Sequence, residues 1–504
     1  MRGNKIRPSM SLDCQIRPGG ALANRLASAA EAASLIRNGM TVAVGGYTSA
    51  GYPKAVPAEL ARRQAGGEEM SLNLISGSLV GQIDEMLASL IARRTPMLES
   101  PTLRRAANAR RMVYVEQQIA KLPRLLWSGA FGRIDWAVIE VLGFTGEGWL
   151  VPSSSVGLLP QLVEQAEGLI IEVNQAQPAG LAGLADIYRP GRPPRQPIPL
   201  LHPVHRFGEP FVRVDPEKIK AVVLTNQPDQ ARPNPSLSEP LARALDHLMN
   251  FLEMESARHW GGTLPPVQTG VGQLAGGLVA ALGQSRFRCL KFFCGILGEE
   301  HLELLASGRV AAASSSAIQM TPRVTEIIRT KGHEMSEVLV LRNQEITNDA
   351  ETAARLGLLS INSGLEADIY GNVNASHIAG SHVVNGLGGG ANFAQNSGLS
   401  VLVLPSANAE MTISHIVPMV PHVDIGEHDV DILVTDQGLA DLRGRDEVER
   451  AEEVITRCAH PAYRDMLRDY LKRAMASVGG HHPQLPDEAF AWHRRLKETG
   501  AMSL

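Results

Sequence analysis

The sequence predicts an α/β protein made of two open parallel-sheet halves, and three observations predict it. Short apolar runs repeatedly end in glycines and pass into helical stretches; a proline-rich stretch interrupts the chain near its middle; and the same strand, loop and helix pattern restarts beyond it. A length of 504 residues suits this reading, because domains of roughly 150 residues allow two to four of them, and two large ones is the simplest division.

The first strand, loop and helix unit is TVAVGGYTSAGYPKAVPAELARR (41–63). MSLNLISGSLVG (70–81), IDWAVIEVLGFTGEGWLVP (134–152) and GLIIEVNQAQP (168–178) supply further strands, each closing on glycines or polar residues. Between 189 and 240 the stretches RPGRPPRQPIPLLHP and TNQPDQARPNPSLSEP exclude regular helix and mark a connection. A helix around 240–259 reopens the pattern. QTGVGQLAGGLVAALG (268–283) sets a glycine turn before a small-residue helix, and RCLKFFCGILGEEHLELLASGRVA (288–311) adds a strand and a helix. VVNGLGGGANFAQNSG (383–398) precedes the strand LSVLVLPS, and DILVTDQGLADLRG (431–444) gives the last strand before a polar helical tail. The expected domains are an N-terminal extension at 1–28, a first α/β domain at 29–225, a connection at 226–240 and a second α/β domain at 241–504.

Composition narrows the function. A hydrophobic content of 44% with 20% charged residues is that of a globular protein, and only 4% aromatics means that small residues fill much of the core. A net charge of -4, with no run of Lys and Arg among aromatics, argues against nucleic acid as a partner. No stretch of about 18 apolar residues predicts a membrane span, and the basic start has no apolar signal core, so a cytoplasmic protein is expected. The four cysteines, Cys14, Cys289, Cys294 and Cys458, have neither the number nor the spacing of a disulfide framework, and no metal site is expected from them or from the histidines.

Glycine turns at strand ends suit ligand binding, because a residue without Cβ lets backbone N–H groups approach an anion closely. TGVG (269–272) alone reads equally well as a tight turn. NGLGGGANF (385–393) is more telling: four glycines in five residues gain nothing for helix or strand, so a backbone cradle for an oxyanion or phosphate is expected there. Asn348 in TNDAE and Asp436 in VTDQG follow apolar runs, where open sheets bind ligands, although both residue types also cap helices and form turns. No nucleophile elbow, zinc-protease helix or P-loop is present, so hydride transfer, zinc hydrolysis and ATP use lose support.

Over residues 30–450 the chain resembles the acetyl-CoA hydrolase/transferase family of class I coenzyme A transferases, to which succinyl-CoA:acetate CoA-transferases belong. The stretches that carry the likeness include GYTSAGYPKAVP, GWLVPSSSVG, IIEVNQAQP, QTGVGQLA, RNQEITND, EADIYGNVN, NGLGGGANFAQN, IVPMVPHVD and EHDVDILVTDQGLADLRG. The resemblance implies two CoA-transferase-like open α/β domains, a homodimer, and an acyl-CoA bound between the domains, with a small carboxylate as acceptor. It implies no bound cofactor, coenzyme A entering as part of the substrate. A glutamate carboxylate attacks the thioester in such enzymes, giving an anhydride and then a glutamyl-CoA thioester. Carried onto this chain, the oxyanion donors are the amides of Val271, between Gly270 and Gly272, and of Gly389, between Gly388 and Gly390; Asn348 and Asp436 line the site.

The family's glutamate stands in a strand-end sequence like YTEV. Counting back from LELLASGRV without a gap, those positions fall on Phe293, Cys294, Gly295 and Ile296, so the nucleophile position is Gly295. Gln230 and Ala409 stand where the family usually has basic residues. Without a carboxylate at Gly295, four readings stay open: hydrolysis or an unusual transfer, with water or Cys294 as nucleophile; other CoA-ester chemistry such as decarboxylation or retro-Claisen cleavage, with Asp436 or Cys294 as acid or base; transfer through another carboxylate; and a silent CoA-ester binder. A cysteine beside phenylalanines more often packs a core, and Glu299 and Glu300 are better explained as acids at a helix start.

Overall fold

The computed structural model describes residues 14–15, 19–78, 80–231 and 233–502. Most of the expected N-terminal extension lies outside them. The fold is mixed α/β in two units. One comprises the chain through Pro233 together with Arg288–Leu356, and the other Asn234–Phe287 together with Gly357–Leu504.

In the first unit, β1 (Thr41–Val44), β2 (Leu72–Ser76), β3 (Ile91–Thr95), β4 (Val113–Tyr114), β5 (Ile134–Phe144), β6 (Leu150–Pro152), β7 (Ala166–Asn174) and β8 (Ile219–Thr225) form one sheet. The order is β4-β3-β2-β1-β5-β7-β8, parallel throughout, with β6 antiparallel on β5. Strand order therefore reverses at β1, with β2 on one side and β5 on the other, the place where open sheets bind ligands beyond their carboxyl ends. β5 and β7 are buried along nearly their whole length, as parallel strands covered on both faces must be.

The later strands are β9 (Val267–Thr269), β10 (Leu290–Leu297), β11 (Val310–Ile318), β12 (Leu339–Leu341), β13 (Leu359–Ser363), β14 (Leu399–Val403), β15 (Ile432–Thr435) and β16 (Gly438–Asp441). Parallel β10, β11 and β12 belong to the first unit. This differs from the sequence expectation, which gave all of 241–504 to one domain. The physical reason is backbone pairing: Val156 N–H donates to Ser316 O at 2.8 Å and Ile318 N–H to Ser154 O at 2.9 Å, tying β11 to the segment after β6. Ala312, Ala313, Ser314, Ser315, Ser316 and Ala317 of β11 are all buried, so small residues do fill this layer.

In the second unit β9, β13, β14 and β15 run parallel in that order, with β16 antiparallel on β15. Leu402, Leu404, Leu433, Val454, Ile455, Tyr463 and Trp492 share its buried core with the C-terminal helices Glu447–Arg457, Pro461–Ser477 and Ala491–Thr499. Among the described residues no helix is long and apolar enough to cross a membrane.

Candidate functional site

In the first unit the chain leaves β1 through Gly45-Gly46 into a closed turn, where Tyr47 N–H donates to Ala50 O at 3.0 Å and Ala50 N–H returns to Tyr47 O at 3.1 Å. Gly46 has φ of +102°, and a Cβ on it would lie 2.8 Å from Tyr52 Cβ, so only glycine serves. The turn holds Tyr47 with its ring buried and its hydroxyl against β10. A Cβ built on Gly295 would lie 2.5 Å from Tyr47 Oη and 3.3 Å from Cζ. Gly295 is not in the left-handed region; the phenol's approach, not backbone conformation, is what a side chain there would have to displace.

Asn348 follows the short helix Gln344–Thr347 and is buried. Its Oδ1 accepts from Thr347 Oγ1 at 3.0 Å, and Thr347 Oγ1 meets Ser316 Oγ at 2.7 Å. Asn348 and Ser78 stand beside the Tyr47 phenol and favour its ionised form, but burial outweighs them and raises its pKa far above that of a free phenol. The phenol is neutral at any physiological pH. The structure therefore brings Gly295 and Asn348 together around Tyr47, a residue the sequence reading quoted only as part of GYTSAGYPKAVP.

Cys294 is fully buried, and as the neighbour of Gly295 in a strand it points to the opposite face. Glu299 and Glu300 open the helix Glu299–Ala306, the helix start read from the sequence.

A second polar centre in this unit was not read from the sequence. Lys54 Nζ contacts Glu140 Oε2 at 2.5 Å and Asp229 Oδ1 at 2.8 Å, all three side chains being buried. Glu140 also accepts from Ser153 Oγ at 2.9 Å, Gln177 Nε2 at 2.9 Å and Asn174 Nδ2 at 2.8 Å. Glu172 accepts the N–H groups of Lys54, Ala55 and Val56 at 2.7, 3.0 and 2.7 Å, at the start of the helix Ala55–Ala65. Burial pushes Glu140 up to about 7, with Lys54 pulling the other way. The centre fastens the chain at Asp229 to the carboxyl ends of β5 and β7. Gln230 beside it is exposed, its N–H donating to Tyr52 Oη at 3.3 Å.

In the second unit the sequence-predicted glycine turns share one support. Asn362 at the end of β13 pairs its amide with Gln268 of β9, Nδ2 to Oε1 at 2.9 Å with a return contact of 3.4 Å. A Cβ on Gly270 would reach Asn362 at 4.0 Å and one on Gly390 at 3.8 Å, so both turns lie against this amide. Gly272, with φ of +97°, caps the helix Gln273–Gln284, and its N–H donates to Asn234 Oδ1 at 3.2 Å. Val271 between the glycines is 53% exposed. Gly388, with φ of +63°, leads through Gly389 into the helix Gly390–Asn396. Asn362 and Gln268 escaped notice because amides at strand ends have no motif of their own.

Asp436 follows β15 and accepts from Ser406 N–H at 2.6 Å, Ser406 Oγ at 3.1 Å and Gln437 Nε2 at 2.7 Å. Burial alone would raise its pKa, but these hydrogen bonds outweigh it and hold the carboxyl below its ordinary value. Ala409 lies exposed in the turn after β14.

Two family models match the chain: the acetyl-CoA hydrolase/transferase N-terminal domain over residues 21–224 and the corresponding C-terminal domain over 327–471. A succinyl-CoA:acetate CoA-transferase of Clostridium kluyveri is 38% identical over 95% of this chain and 90% of its own length. An acetyl-CoA hydrolase of Eremothecium gossypii is 35% identical over 95% of this chain and 96% of its own. Among solved structures, RipA from Yersinia pestis shares the fold with a TM-score of 0.69 at 21% identity, covering 89% of this chain and 97% of that one.

Proposed function

Because this chain belongs to the acetyl-CoA hydrolase/transferase family, as an enzyme acting on CoA thioesters, we propose that it hydrolyses an acyl-CoA with water as nucleophile and forms no glutamyl-CoA intermediate. The observation that carries this reading is the approach of Tyr47 Oη to Gly295. Gly295 is the position of the family's glutamate by gapless count, and here it has no carboxylate while a phenol occupies the room one would need. Cys294 is fully buried, and water rather than its thiol is the nucleophile in this reading. The amides of Val271 and Gly389 serve as oxyanion donors, each contributing about 3 kcal/mol to the transition state. In the second unit the turns around Gly270, Gly272, Gly388 and Gly390, with Asp436, receive the CoA ester; in the first, Asn348 stands beside Tyr47. A cytoplasmic location and a homodimer complete the reading, and size-exclusion chromatography with light scattering checks the dimer.

Steady-state kinetics with a panel of acyl-CoAs tests the proposal. Thiol release that is independent of any carboxylate acceptor, with no hydroxylamine- or borohydride-sensitive adduct on the protein, is the expected result. Release that requires a carboxylate acceptor, or a trapped acyl-enzyme, overturns it.

A further inference from the structure

Resting on the hydrolytic reading above, we propose that Tyr47 is a catalytic hydrogen-bond donor whose phenol O–H holds the acyl oxygen of the CoA ester beside Gly295. Its place in the fold is the first reason: Tyr47 stands three residues beyond the end of β1, where the strand order of its sheet reverses and ligands bind.

The second reason is where the hydroxyl sits. The ring is buried and fixed by the Tyr47–Ala50 turn, and its Oη lies against Gly295, which is half-buried. Packing alone would be satisfied by a phenylalanine, and burying a hydroxyl is unfavourable unless it is used.

The third reason is the state of its proton: burial keeps the phenol protonated, with its oxygen 2.5 Å from where a Cβ on Gly295 would stand. Because the phenol stays neutral, it cannot attack the thioester; it can stabilise negative charge as that develops on the acyl oxygen. In the step proposed, water oxygen bonds to the thioester carbon, the C–S bond breaks, and the proton lost by the water goes to the leaving thiolate. The carboxylic acid formed then ionises, and Tyr47 keeps its proton throughout.

Tyr47→Phe retains the ring and removes only the donor. Expected are a fall in kcat of about 100-fold, a KM for acyl-CoA within about threefold of the parent, and an unchanged circular dichroism spectrum. Site-specific difluorotyrosine at position 47, a more acidic phenol of nearly the same size, is expected to keep most of the parent's kcat at neutral pH and to bring a basic limb into the kcat profile that the parent lacks; a merely structural role would produce no such limb. Equal kcat for Tyr47→Phe and parent, or no limb with difluorotyrosine, overturns the assignment while leaving hydrolysis intact. Absence of thiol release by the parent from every acyl-CoA in the panel overturns both.

Discussion

Gly295→Ala is the smallest change that reads the contact between β10 and Tyr47. The new Cβ would stand 2.5 Å from a phenol oxygen, inside the roughly 3.0 Å that real Cβ atoms keep, and the ring cannot retreat freely because its turn is closed by two backbone hydrogen bonds. Overpacking of this kind destabilises by about 1–3 kcal/mol, while replacing a strand glycine by alanine returns roughly 0.5–1 kcal/mol through lower chain entropy. A net loss of about 0.5–2 kcal/mol follows, a fall in melting temperature of roughly 1–3 °C for a unit of this size. With Tyr47→Phe the nearest atom becomes Cζ at 3.3 Å, tight but tolerable, so the double variant loses less than the sum of the single losses. Denaturant unfolding of the four proteins in the cycle should give a favourable coupling of about 1 kcal/mol or more. A Gly295→Ala protein as stable as the parent, with no coupling, would refute the placement of the phenol and with it the reason this position lacks a side chain. The same background is the one in which Gly295→Glu has room, so a hydroxylamine-sensitive acyl adduct is expected from Tyr47→Phe/Gly295→Glu and not from Gly295→Glu alone.

Removing the cation of the buried centre by Lys54→Met leaves Glu140 and Asp229 without their counter-charge, and a loss of about 3–5 kcal/mol is expected in denaturant unfolding; a loss under 1 kcal/mol would contradict the pairing. Glu140 has a folded value of about 7 against an ordinary 4.5, so between those values the folded chain holds a proton that the unfolded chain has released, and its contribution to stability falls as pH rises through that window. Glu140→Gln should flatten that decline, measured as the difference in unfolding midpoint between parent and variant from pH 4.5 to 7.5; a constant difference would refute it. Asn362→Ala removes the partner of buried Gln268 and the support shared by both glycine turns. A stability loss of about 1–3 kcal/mol and a raised KM for acyl-CoA are expected, and unchanged KM would show that the turns do not depend on that amide.

Why some of this was legible in sequence and some was not follows from the range over which each feature is determined. Strands β1, β5, β7 and β15 announce themselves as apolar runs closed by glycine or polar residues, and Gly272 and Gly388 do adopt positive φ in the turns their spacing suggested. These are local properties. The affiliation of 288–356 with the first unit is not local, because it rests on backbone pairing of β11 with residues more than 150 positions earlier, which leaves no periodic trace. The Lys54, Glu140 and Asp229 centre is unreadable for the same reason: three charges scattered over 176 positions look like surface residues until topology buries them together.

Gly295 lies between these cases. Its position was countable, but the cause of the glycine was not, since sequence cannot distinguish a nucleophile merely lost from a side chain displaced. The geometry favours displacement. Nothing in the φ of Gly295 demands glycine, and the atom that crowds a Cβ is the one polar atom of an otherwise apolar ring. A phenylalanine at 47 would leave a Cβ at Gly295 tight but possible. Tyr47 and Gly295 are therefore best understood as one unit of two residues, in which the hydroxyl explains the glycine. A site that had only lost its nucleophile would have no reason to retain a buried donor at that place.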